Sequence, residues 1–133
     1  MLIFVFGVFI ILHGLVHLLY FGQSRQLLQL HRDMEWPDDS WAFSRLFGYE
    51  ATRVLASICC VMATIGFVAG GSGILLRLDW WRPLVVGSAV FSAVVFILFW
   101  DGEKRRLANQ GGVDVLINMA ILFVVLIIQW PDF

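Results

Sequence analysis

Hydrophobic positions run in four long blocks along this chain, and most polar positions fall in three connections between them. The blocks fall at about residues 2–21, 47–69, 84–100 and 113–130. Each is close to the roughly 20 apolar residues that a helix needs to cross ~30 Å of hydrocarbon. The pattern predicts an all-α chain, an integral membrane four-helix bundle, with residues 1–133 as a single four-span domain.

Local signals set the boundaries. After the first block comes the longest polar connection, Gly22 to about Leu46. Pro37 disfavours helix in the residue before it, and Asp38, Asp39 or Ser40 can cap the helix that follows. Gly70-Gly71-Ser72-Gly73 reads as a turn after the second block. Asp101-Gly102 closes the third block, Gly111-Gly112 precedes the fourth, and Pro131 stops it. Trp36, Trp41, Trp80 and Trp81 lie at block ends, where an interfacial aromatic belt is expected. Gly7 and Gly14 share a face of the first helix and allow a close helix neighbour.

Composition agrees with the pattern. Hydrophobic residues make up 60% of the 133 positions and charged residues 14%, against about 45–50% and about 25% in soluble domains. Mean hydropathy is +0.85. The net charge of −1 gives no footprint for nucleic acid. The expected surroundings are a lipid bilayer, with a homo-oligomer or a larger membrane complex as partner. The first residues lack a basic segment and a cleavage pattern, so the first block reads as a retained span. Cys59 and Cys60 are adjacent, and a bridge between neighbours is strained.

Basic residues suggest an orientation. The first and third connections hold Arg25, Arg32, Arg45, Lys104, Arg105 and Arg106, while the second holds only Arg77 and Arg82. Positive charge favours the cytoplasmic side. This places both termini outside the cytoplasm, in a multi-pass protein of the cell membrane.

The polar residues inside the blocks carry the candidate chemistry. His13 and His17 sit four apart in the first block, about 40° apart around a helix. Glu50 and Arg53 begin the second block, Trp100 and Asp101 end the third, and Asp114 and Asn118 begin the fourth. With alternating helix directions, all eight fall in one half of the bilayer. In the second block Glu50, Arg53, Ser57, Cys60 and Thr64 lie within an arc of about 80°. Ser57, Thr64 and Ser88 are expected to bond back to their own helix. His13 lies deepest and is the hardest to bring to water by snorkelling.

Three readings fit these residues. In one, the eight line a polar pocket for a small amphipathic ligand such as a quinone or a lipid, with imidazole bonding a ligand oxygen and a carboxylate taking a proton. In another, they form a hydrogen-bonded cluster that joins the helices of a non-catalytic accessory subunit or assembly factor. In the third, His13 and His17 with Glu50 and Asp101 or Asp114 ligate a divalent metal. A desaturase-type di-iron site needs more histidines than the three present. The pattern also speaks against a bis-histidine haem, because ligands on one helix face cannot approach both faces of one haem.

The segment His13-Gly14-Leu15-Val16-His17-Leu18-Leu19, the pair Trp100-Asp101 and Asn118 with its apolar followers resemble the small four-helix membrane proteins grouped as DoxX-like. The resemblance implies a four-helix bundle. Some members of that group are linked to quinone reduction, so it also implies a quinone or lipid ligand. The acidic and aromatic stretch from Asp33 to Trp41 departs from the compact layout of that group.

Overall fold

The computed structural model describes residues 1–25, 40–99 and 112–132. Among these residues the chain is all-helical. Helix α1 covers Leu2–Ser24, α2 Ser44–Leu75, α3 Trp81–Phe99 and α4 Gly112–Leu122, which continues as a π-helical turn over Phe123–Ile128. Three helices are long and apolar enough to cross a membrane, over Leu2–Gln23, Arg45–Leu75 and Trp81–Phe99. The fourth apolar segment, Gly112–Ile128, is shorter.

Three boundaries differ most from the sequence expectation. Helix α2 does not stop at Gly70. It runs through Gly70-Gly71-Ser72-Gly73 to Leu75, because these glycines serve packing rather than turning. A Cβ on Gly71 would come within 2.6 Å of Ile11 Cγ1 and 2.8 Å of the Gly7 carbonyl. Two residues beyond the end of the helix, Arg77 takes a left-handed φ of 55°. The Leu78 amide then bonds the Gly73 carbonyl at 2.9 Å and the Arg77 amide bonds the Ile74 carbonyl at 3.1 Å. That pair of bonds is a Schellman termination. The fourth block also ends early: Gln129 is left-handed at φ 57°, and the helix does not reach Trp130.

Helix α3 starts before the predicted position, at Trp81, with Pro83 in its first turn. A proline is tolerated there because the first amides of a helix have no intrahelical acceptor. At the opposite end of α2, Gly48 holds φ 78°, ψ 174° and interrupts the helix. Glycine suits this conformation, which side chains with a Cβ resist.

The connections are fastened to helix ends. Ser40 Oγ accepts the Phe43 amide at 3.2 Å and so caps the turn that leads into α2, while Asp38 and Asp39 lie outside the described residues. The same hydroxyl donates to the Leu98 carbonyl at 2.5 Å, and Trp41 Nε1 donates to the Ile97 carbonyl at 2.6 Å. Both carbonyls belong to the last turn of α3, where helix acceptors are otherwise unmet. At the other end, Arg82 Nη2 donates to the Pro131 carbonyl at 3.1 Å, and the guanidinium lies 5.2 Å from the Trp81 ring centre.

Neighbours in sequence are neighbours in space: α1 packs on α2, α2 on α3, and α3 on α4. Gly7 and Gly14 are used within the chain, against Leu75, Gly71 and Phe67 of α2. The core falls into two apolar groups. One contains Ile10, Phe67, Ile74, Trp81, Val85, Ala89, Ile121 and Val125. The other contains Ala56, Cys60, Val95, Phe96 and Phe99, with Tyr20, Phe21 and Val115 packed against it. A polar layer lies between them.

Candidate functional site

That layer is built from two helical pairs facing one another. In α1, His13 and His17 are one turn apart and point the same way, as residues four apart must. In α4, Asp114 and Asn118 do likewise. Ser92 of α3 stands between the pairs. All five are buried, with exposures of 4% for His13 and Asp114, 1% for His17 and 0% for Ser92 and Asn118. Aromatic rings enclose them. His13 meets Phe67 edge-on at 4.9 Å, and His17 lies 5.4 Å from Phe67 and 5.6 Å from Phe96.

The bonds cross from helix to helix. His13 Nε2 is 2.8 Å from Asn118 Oδ1, and His17 Nε2 is 2.6 Å from Ser92 Oγ. Asn118 Nδ2 donates to Ser92 Oγ at 2.9 Å, and Ser92 Oγ lies 3.0 Å from Asp114 Oδ2. His17 Nδ1 turns back to the carbonyl of His13 at 3.1 Å. Longer charged contacts complete the set: His13 Nδ1 to Asp114 Oδ1 at 3.5 Å and His17 Nε2 to Asp114 Oδ2 at 3.4 Å. Asp114 is in the first turn of α4, where the helix dipole favours a carboxylate.

Four of the eight residues expected at the site therefore come together: His13, His17, Asp114 and Asn118. Glu50 does not join them. It is exposed on α2, on a shallow apolar groove with Phe47, Ala51, Val54, Leu55 and Ile58. The polar stripe of α2 is buried at Thr64, Cys60 and Ser57 and is exposed at Glu50. Arg53 is half-buried on the same helix. Trp100 and Asp101 lie outside the described residues.

Of the proposed metal ligands, His13, His17 and Asp114 come together while Glu50 stays apart, and Asp101 lies outside the described residues. Among the described residues, no three His, Cys, Asp or Glu side chains are grouped to hold a metal ion. The nitrogens that metal would need are directed at protein atoms instead. Cys59 and Cys60 are both free thiols.

Ser92 was not among the predicted residues. A signal for it exists: Ser88 and Ser92 are four apart in an otherwise apolar helix and flank the small residue Ala89, a pattern of close helix contact. The back-bonding expected of Ser57 and Thr64 is present, to the carbonyls of Val54 at 2.7 Å and Cys60 at 2.9 Å. Thr64 also reaches across to the Gly14 carbonyl at 3.1 Å, which joins α2 to α1 beside the histidines.

A scan against protein-family models, a search of curated proteins and a search of solved structures find no match to this chain.

Proposed function

We propose that this chain is an integral membrane protein crossing the bilayer four times, and that its polar layer ties the helices of a small, non-catalytic component of a membrane assembly. The observation that carries this reading is the closed network: five polar side chains from α1, α3 and α4, all buried, bonded to one another. Interhelical polar contacts in a membrane contribute about 0.6–2 kcal/mol each. Helix α1 makes its main packing contact with α2 rather than α4, so the polar layer is its principal link to the far side of the bundle.

Lipid is the partner that the outer surface fits. Phe4, Leu12, Met62, Ile65, Leu116 and Phe123 are each more than half exposed, and apolar cover of this extent is untenable in water. Gly112–Ile128 lies at the short end of the ~17–25 residues that span a bilayer. The basic residues of the first and third connections favour a cytoplasmic position for both, with the termini outside.

A second reading is supported by one observation. The histidine–aspartate contacts of 3.4 and 3.5 Å exceed the usual hydrogen-bond range, so Asp114 retains capacity for a further donor. This keeps a small amphipathic ligand, such as a quinone or lipid, as the alternative that the DoxX-like resemblance also favours.

The test is mass spectrometry and metal analysis of an extract of the purified full chain. The expected result is no stoichiometric small molecule or metal, with His13→Leu and His17→Leu lowering thermal stability. A stoichiometric quinone or lipid that both variants lose would replace the accessory reading with the ligand reading. Membrane insertion predicts that the chain stays with the membrane through an alkaline wash. A cysteine at Asp79, in a background without Cys59 and Cys60, is expected to react with an impermeant reagent from outside the cell. Asp79 is exposed between α2 and α3.

A further inference from the structure

We infer that the His13–His17–Ser92–Asp114–Asn118 layer is a proton-binding site, holding one proton beyond those of neutral histidines and an ionised aspartate, with the Ser92 hydroxyl as the relay between two positions for it. Such a site rests on the reading of the layer as a dry interhelical tie.

The count follows from which atoms are able to donate. The His13 carbonyl only accepts, so the His17 Nδ1 that bonds it carries a hydrogen. Asn118 is oriented by its neighbours: turning its amide over would set its oxygen against Asp114 Oδ2, where Nδ2 now lies at 3.4 Å. Its Oδ1 therefore faces His13 and accepts, which places a hydrogen on His13 Nε2. Each imidazole now has its one neutral-state hydrogen, and neither points at Asp114.

Four contacts are left to fill: His13 Nδ1 with Asp114 Oδ1, His17 Nε2 with Asp114 Oδ2, His17 Nε2 with Ser92 Oγ, and Ser92 Oγ with Asp114 Oδ2. Among the described residues, only the single Ser92 hydrogen is available for them. It serves one of the last two contacts and leaves the other as two lone pairs face to face, at 2.6 or 3.0 Å. It also leaves a bare nitrogen opposite a carboxylate. Among the described residues nothing then balances the negative charge of the layer, which is costly in an apolar interior. One added proton removes the net charge and fills a second contact.

That proton has two positions. On His17 Nε2, it is donated to Ser92, and Ser92 donates to Asp114. Transfer proceeds by breaking the His17 N–H bond as a new Ser92 O–H bond forms, while the original Ser92 O–H hydrogen passes to Asp114 Oδ2. His17 becomes neutral, the carboxylate becomes a neutral acid, and the hydroxyl reverses direction to donate to His17. Both arrangements are neutral overall, so the exchange moves no charge into or out of the layer. The alternative of His13 as imidazolium fills the His13–Asp114 contact at the same overall charge.

Among the described residues, the titratable groups around this site are His13, His17 and Tyr20 on α1, Cys60 on α2 and Asp114 on α4, while α3 contributes Ser92. Asp114 lies close enough to act electrostatically on both Tyr20 and Cys60.

The experiment is nitrogen-15 NMR of ring-labelled histidine in the full chain, in lipid nanodiscs near neutral pH, paired with infrared spectroscopy of carboxyl groups. His31→Gln removes the third histidine signal. The expected result is either one ring with both nitrogens protonated or a protonated carboxyl band that Asp114→Asn deletes. In Asp114→Asn, a doubly protonated ring is expected to shift to the neutral position. Two neutral rings together with no such carboxyl band in the unmodified chain would overturn the proton site, and so would a doubly protonated buried ring that persists in Asp114→Asn. The unmodified chain decides the matter even if the variant does not fold. A loss of stability in Asp114→Asn without any added proton in the unmodified chain would leave the tie standing and remove only the proton site.

Discussion

His13 Nε2 and Asn118 Oδ1 lie 2.8 Å apart and join the middle of α1 to α4 across 105 positions of sequence. Both side chains are buried, so neither has water as a substitute partner. In an apolar bundle this bond selects one rotational setting of α1, because turning the helix by a single residue would carry both histidines about 100° away from α4.

Asp114 receives more of the network than any other side chain, facing His13, His17, Ser92 and Asn118. Asp114→Ala is expected to destabilise the chain by about 3–5 kcal/mol, as breaking a buried charged pair does when its partners are left without compensation. Asp114→Asn keeps the shape and a hydrogen-bonding group, so its loss is expected to be smaller. Reversible unfolding in detergent measures both. Equal losses would mean that the carboxylate charge rather than the shape matters at this position.

Glycines of the bundle separate into two kinds. A Cβ on Gly14 would lie 2.6 Å from Phe67 Cβ, inside the contact between α1 and α2. Gly14→Ala is expected to cost about 1–3 kcal/mol through overpacking. Gly87 has nothing within 4 Å of the same added atom, so Gly87→Ala is expected to be neutral or to stabilise α3 by up to about 0.5–1 kcal/mol. Thermal unfolding of the two variants side by side checks this, and a destabilising Gly87→Ala would point to a partner on that face.

Arg77 occupies the left-handed position of the α2 termination, a conformation that costs a residue with a Cβ about 1–2 kcal/mol. Replacing it with glycine is expected to stabilise the chain by up to roughly that amount. The melting temperature of Arg77→Gly tests it. A lower value would show that the guanidinium contributes more than the backbone loses.

Much of this was legible in the residue pattern. Four apolar blocks gave the four helices, and the two pairs at spacing four, His13/His17 and Asp114/Asn118, announced faces that meet. Other features were hidden for physical reasons. Gly70, Gly71 and Gly73 look like a turn in sequence, yet helix–helix contact needs the same residue for its lack of a side chain. Ser92 looks like a small filler until the fold sets it between Asp114 and His17. Glu50 shares the angular stripe of Ser57 and Thr64, but a helical projection carries no information on where the neighbouring helices end.

A double-mutant cycle between His13→Leu and Asn118→Leu tests most directly the claim that the polar layer ties α1 to α4. Unfolding free energies of the two single variants and the double variant are compared with the unmodified chain. The account predicts that each single change destabilises and that the double change costs less than their sum, with a coupling of about 0.6–2 kcal/mol. Additivity within about 0.3–0.5 kcal/mol would contradict it, because the two side chains would then be independent.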